Sequence, residues 1–158
     1  MKILAIDPGN VKSAYAVYRD GAFIEHDIIE NPVMLHIIKQ FEADCVVIER
    51  VECMGMAVGK SVFQTCEWIG RFIQEAVSHA EVYTIGRRNV KIHLCGSMKA
   101  KDSNIRQAVM DRFGSTREKA IGTKKAPGPL YGVRKDVWSA VAIALTSSEN
   151  REGLVRHE

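Results

Sequence analysis

Three acids stand where hydrophobic patterning leaves little room for them. Asp7 closes the apolar run Ile3-Leu4-Ala5-Ile6, Glu49 closes Cys45-Val46-Val47-Ile48, and Asp136 precedes an apolar, small-residue segment that begins at Val137. The first two runs read as strands that are apolar on both faces, the kind covered on both sides in a sheet. With a side-chain period of two, Asp7 shares a face with Ala5 and Ile3, and Glu49 with Val47. If the two strands are parallel neighbours, both carboxylates project from one carboxyl edge, where open α/β sheets bind ligands. Two half-buried anions repel, and desolvation adds several kcal/mol for each. A divalent cation is the simplest offset. Taken alone, Asp136 reads as an ordinary helix N-cap. Taken together, the three acids point to phosphodiester hydrolysis, with two ions about 3.5–4 Å apart clamping the attacking and leaving oxygens.

Charge along the chain supports a polyanionic partner. The 158 residues carry a net charge of only +3. Residues 87–135, however, hold thirteen Lys and Arg against three acids, a net of +10, while residues 1–86 are net −5 and residues 136–158 net −2. Nucleic acid is the first candidate for such a basic stretch. With 46% apolar and 26% charged residues the chain reads as globular. No apolar run approaches the roughly 20 residues of a membrane span. The acid at position 7 speaks against a secretory signal. The four cysteines, 45, 53, 66 and 95, form no CxxC pair. Reduced thiols in a cytoplasm are the expectation.

The elements that must position these acids follow from the pattern. Lys2–Asp7, Ser13–Arg19 and Ala22–Ile28 form an antiparallel meander, with Asp20-Gly21 as a two-residue hairpin turn. Asn31-Pro32 opens a helix. Asp44–Glu49 and Glu81–Ile85 are further strands. The spacing predicts a helix over 61–78 with Val62, Cys66, Ile69, Ile73 and Ala76 inward, leaving Phe63, Trp68 and Phe72 for a subunit interface. A helix from Asp102 or Ser103 runs to Phe113, with Gly114 as its stop. Residues 114–135, rich in Gly, Pro and Lys, read as a long, mobile, basic loop. A last helix covers 137–146. The expected architecture is one α/β domain spanning residues 1–158, a central mixed five-stranded sheet flanked by helices.

Three segments resemble, in order, the motifs of RuvC-type Holliday junction resolvases: Ile3-Leu4-Ala5-Ile6-Asp7-Pro8-Gly9-Asn10, Val47-Ile48-Glu49-Arg50-Val51, and Asp136-Val137-Trp138-Ser139-Ala140-Val141-Ala142-Ile143-Ala144. Residues Gly59-Lys60 through Trp68-Ile69-Gly70-Arg71 resemble the version found in phage-encoded members. The likeness runs from residue 1 to about residue 146. It implies a ribonuclease H-like fold, a homodimer, Mg²⁺ or Mn²⁺ with two ions per site, and paired nicks across a four-way DNA junction that leave 5′-phosphates. Asp7, Glu49 and Asp136 match the family's catalytic, metal-binding acids. One departure stands out. Family members usually carry a further acid three residues after the equivalent of Asp136; here it is Ser139. Asp102 or Glu52 could supply the missing charge.

The same resemblance places phosphate contacts on Lys99, Lys101 and Arg106, ahead of or opening the helix that faces DNA. Arg87, Arg88, Lys124, Lys125 and Arg134 are further candidates, or are simply solvated. Met54 and Met56, just after Glu49, lie near the branch point. They would wedge between bases or pack on a partner subunit or core. No organic cofactor and no membrane contact are expected. The alternatives are a less selective flap or RNA–DNA hybrid nuclease and a catalytically silent junction-binding protein. An actin-like phosphotransferase would need two such domains around a nucleotide.

Overall fold

The computed structural model describes residues 1–53 and 55–158. Met54, one of the expected DNA contacts, lies outside the described residues. The chain builds β1 (Lys2–Asp7), β2 (Lys12–Arg19), β3 (Ala22–Glu30), α1 (Asn31–Gln40), β4 (Cys45–Arg50), α2 (Lys60–Ala76), β5 (Glu81–Gly86), α3 (Arg87–Cys95), α4 (Asp102–Phe113), α5 (Arg117–Ala120), α6 (Val137–Glu149) and β6 (Val155–His157). The sheet runs in the order β3-β2-β1-β4-β5-β6. Strands β1, β4 and β5 are parallel, while β2, β3 and β6 pair antiparallel to their neighbours.

Alternation along the strands sorts the core into two layers. Ile3, Ala5, Ala14, Ala16, Cys45, Val47 and Ile85 face α3, α4, α5 and α6. Leu4, Ile6, Tyr15, Val17, Val46, Ile48 and Val82 face α1 and α2. Helix α6 is buried almost all round from Ala140 to Ser147, and a helix apolar on every side belongs in a core. Its alanines, with Ala5, Ala14 and Ala16 opposite, leave no bulk to hold it off β1 and β2. The β2–β3 turn uses Asp20 (φ 51°) and Gly21 (φ 90°). These are the left-handed positions that a type I′ hairpin needs.

The mixed sheet is as expected, with one edge strand more than five. Three residues of β6 are too few to show a period. Two other expectations need correction. Residues 114–135 hold more local structure than an irregular loop. Thr116 caps α5 through its hydroxyl, Gly122 bridges Pro127, and Ala120 and Leu130 are fully buried. Gly128 approaches so closely that a Cβ there would sit 2.7 Å from two backbone carbonyl oxygens. In α2 the inward stripe is Ile69, Phe72 and Ala76, with Cys66 exposed. Phe72 is thus a core residue, and Trp68 packs against the same core. Phe72 is therefore not free for an interface as expected; Trp68 is only partly buried, and Phe63 remains exposed.

A buried polar network fixes the turn that follows Asp7. Ser13 Oγ donates to Asn31 Oδ1 (2.6 Å), Asn31 Nδ2 donates to the Gly9 carbonyl (2.9 Å), and the Gly9 amide donates to Ser13 Oγ (3.2 Å). Asn31 and Ser13 are both buried. Asn31→Ala would strand the Ser13 hydroxyl and the Gly9 carbonyl, at roughly 2–4 kcal/mol for two unsatisfied groups. Denaturant melts should show that loss.

Candidate active site

Strand register carries two of the three acids to one place. Ile3 pairs with Cys45, Ala5 with Val47 and Ile6 with Ile48, so the next step brings Asp7 level with Glu49. Both continue the row Ile3-Ala5 and Cys45-Val47 and therefore face the α3–α6 layer. Asp136 arrives from above as the residue before α6. Its side chain makes no capping hydrogen bond, so an N-cap role does not account for it. Its charge is felt at Asp7 instead.

The electrostatics are those of buried, mutually repelling carboxylates. Asp7 is pushed up from the usual carboxylate range to about 7, first by burial, then by the anion of Glu49; Arg87 opposes, Asp136 adds to the rise, and Ser139 favours the ionised form. Glu49 is also raised, by burial, against the pull of Arg87. That guanidinium donates to Glu49 Oε2 at 3.4 Å and to Asp102 Oδ1 at 2.7 Å. Asp102 is held below its ordinary value by that hydrogen bond.

Two cavities open here. The larger, about 480 Å³, is lined by Asp7, Glu49, Glu52, Arg87, Arg88 and Lys91 among others. The smaller, about 50 Å³, is lined by Arg87, Asp102, Arg106, Lys135, Asp136 and Ser139 among others. Among the described residues no three His, Cys, Asp or Glu side chains gather into a ready metal cage. The chemistry of the donor set nevertheless suits a hard divalent ion: carboxylates at one edge, one of them raised by burial and by the neighbouring anions.

The structure brings Arg87, Arg88 and Arg106 to these cavities. Lys101 precedes α4, its amide bonded to Asn104, and Lys99 is an exposed neighbour. Lys124 and Lys125 are exposed in the turn bridged by Gly122 and Pro127, and line neither cavity. Met56 is 75% exposed, and Arg134 is tied to Asp27 at 3.0 Å. Glu52 serves the local frame: it pairs with Arg50 (3.2 Å) and accepts from the Arg88 amide at the start of α3 (3.4 Å). A Cβ on Gly86 would collide with that carboxylate.

Sequence reasoning missed Lys91, Lys135 and the bridging position of Arg87. The first and last depend on α3, whose only sequence signal was Val90 and Leu94 before Gly96. That glycine ends the helix at φ 69°, as a left-handed C-cap does.

A mixed sheet with parallel centre, antiparallel meander and helices on both faces is the ribonuclease H-like fold of the RuvC structures. The structure of Thermus thermophilus RuvC aligns with a TM-score of 0.68 at 18% identity, covering 99% of this chain and 100% of that one. That of T. thermophilus RuvC in complex with a Holliday junction substrate aligns at 0.72 and 18%, covering 99% of each. No family model and no curated protein matches the sequence. No described helix is long and apolar enough to cross a membrane.

Proposed function

We propose that this chain, acting as a single nuclease domain, is a metal-dependent, structure-selective endonuclease that resolves branched DNA, Holliday junctions above all. Paired nicks would leave 5′-phosphates and serve DNA recombination and repair. One observation carries the reading. Asp7 and Glu49 stand level at the carboxyl edge of adjacent parallel strands, with Asp136 close enough to raise Asp7, in a cleft walled by Arg87, Arg88 and Lys91. The solved relative bound to a Holliday junction shares this fold.

Asp7, Glu49 and Asp136 would hold Mg²⁺, or Mn²⁺ in its place, as two ions per site. Bound there, the ions would supply positive charge at the attacked phosphate and acidify the attacking water. Asp7, level with Glu49 and within the electrostatic reach of both other acids, would be the shared ligand. Arg88, Lys99, Lys101 and Arg106 would hold phosphates of the arms, with Arg87, Lys124 and Lys125 as further contacts. Met56 would reach the branch point as an apolar wedge.

Cleavage of four-way, flap, RNA–DNA hybrid and linear substrates, with and without Mg²⁺, tests the reading. Mg²⁺-dependent cutting that favours the four-way junction is the expected result. Equal cutting of all four would replace it with a less selective nuclease. Binding without cutting would make the chain a silent junction-binding protein.

Two nicks on opposing strands require two sites related by a two-fold axis. The protein should therefore sediment as a homodimer, with the exposed Phe63, Cys66 and Gly70 stripe of α2 as the meeting face. A monomer at micromolar concentration, alone and on DNA, would remove the paired-nick mechanism.

Ser139 bears on the metal directly. It lines the smaller cavity with Asp136 and favours the ionised form of Asp7. Ser139→Asp adds a carboxylate in the first turn of α6, where the helix dipole tolerates an anion. The Mg²⁺ concentration for half-maximal cutting should fall several-fold. The metal-free variant should melt lower than wild type, because the new anion faces Asp7 and Asp136. An unchanged or higher Mg²⁺ requirement would show that another group already serves that ion.

A further inference from the structure

Arg87 stands between two acids, Glu49 and Asp102. It occupies the first position of α3, directly after β5, so its backbone is anchored to the sheet beside Glu49. Its two terminal nitrogens take different carboxylates, Nη1 reaching Glu49 at 3.4 Å and Nη2 reaching Asp102 at 2.7 Å. The shorter bond goes to the outer acid: Asp102 is 70% exposed, Glu49 17%. Arg87 also lines both cavities. Asp7 and Glu49 line one, Asp136 and Ser139 the other. This division matches the lack, among the described residues, of three ligand side chains grouped for a metal.

We propose that Arg87 is a displaceable stand-in for the site's cation, a latch spanning Glu49 and Asp102 that must release Glu49 before the three acids can share a metal ion. The inference rests on the metal-dependent reading of the site. A planar guanidinium fork suits two carboxylates at once. In the metal-free protein its single charge offsets part of the repulsion between Glu49 and Asp7. A divalent ion carries twice that charge and would compete for Glu49 Oε2, the oxygen Arg87 holds. The longer bond is the one that yields, and Asp102 retains the displaced guanidinium at the surface, so no charge is stranded inside. Arg87 then acts as a positioning residue: it sets when Glu49 is available.

Competition of this kind weakens metal binding by the fraction of molecules unlatched, so a latch closed nine-tenths of the time costs about tenfold. The test is Mn²⁺ titration of the DNA-free protein, by electron paramagnetic resonance and calorimetry, with melting curves in chelator and in Mn²⁺. Arg87→Gln should bind Mn²⁺ about tenfold tighter. It should melt lower than wild type in chelator and gain more on adding Mn²⁺. Arg87→Lys keeps the charge but cannot span both acids, and should fall between. A merely structural arginine would lower the melting point without tightening Mn²⁺.

Unchanged or weaker Mn²⁺ binding in Arg87→Gln overturns the latch. Should that variant fail to fold, Arg87→Lys decides alone: tighter binding supports the latch, equal or weaker binding overturns it. Asp7→Asn, titrated alongside, separates the two claims. Loss of Mn²⁺ there, with Arg87 variants unchanged, overturns the latch and leaves the metal site standing. Wild-type Mn²⁺ binding by Asp7→Asn overturns both.

Discussion

Asp7→Asn should abolish cutting while sparing, or tightening, junction binding. The substitution keeps shape and removes the one carboxylate that feels both other acids. Loss of the shared ligand should cost about a thousandfold or more in rate, some 4 kcal/mol of barrier. Phosphates approaching the cleft meet one anion fewer, so affinity holds or rises. The same variant makes a stability prediction of known sign. Asp7 sits at about 7 in the folded protein against an ordinary value of 3.8. A carboxyl raised on folding favours the native state in its protonated form. That contribution is complete below about pH 4 and is lost as pH rises to about 7. Metal-free wild type should therefore lose up to about 4 kcal/mol from this group across that window. Asp7→Asn should flatten the profile and melt higher than wild type at pH 8 without metal. Adding Mg²⁺ should stabilise wild type and leave the variant where it was. Near-wild-type nicking by Asp7→Asn would sink the site assignment, and a steeper fall from pH 4 to 7 would sink the electrostatic argument.

How far the fold was legible depended on how local its signals were. Two all-apolar runs ending in acids marked β1 and β4, and the same runs implied parallel neighbours buried on both sides. The level pairing of Asp7 and Glu49 followed from a period of two and a shared register. Helix α2 misled because Val62, Phe63, Cys66, Trp68, Ile69, Phe72 and Ile73 cover more than one face. Periodicity then admits two stripes, and packing against α1 and the sheet selects the one containing Phe72. Ala120 and Leu130 were hidden in a basic, glycine-rich context, where a single apolar residue carries no period. Arg87 was read as a further phosphate contact or a solvated cation, not as a bridge between acids. Its bridge joins the β5–α3 junction, the end of β4 and the start of α4, three places brought together by tertiary structure alone. The departure at Ser139 was legible as a missing charge. That Ser139 acts on Asp7 was not, since it depends on α6 lying over β1.

Junction binding should collapse with salt. Arg88 and Lys91 line the larger cavity, Arg106 and Lys135 the smaller, and Lys99 and Lys101 are exposed beside the start of α4. Among the described residues none of these six pairs with an acid, whereas Arg87, Arg112 and Arg134 do. Six phosphate contacts on duplex arms give a slope of about −5 in log affinity against log salt, hence about a thousandfold loss between 50 and 200 mM. Lys101→Ala should remove about one unit of that slope and weaken all duplex-armed substrates alike. Arg134→Ala should move it little, because Asp27 already takes that charge at 3.0 Å. The two outcomes separate binding from chemistry. Lys101→Ala should raise the DNA concentration needed for half-maximal cutting and leave the rate on saturated junction near wild type. Asp7→Asn should do the reverse. A slope unchanged by Lys101→Ala would place that lysine away from the arms. A shallow slope for the wild type would mean that the +10 stretch does not face DNA at all, and the cleft would then have to recognise its substrate through the few cations that line it.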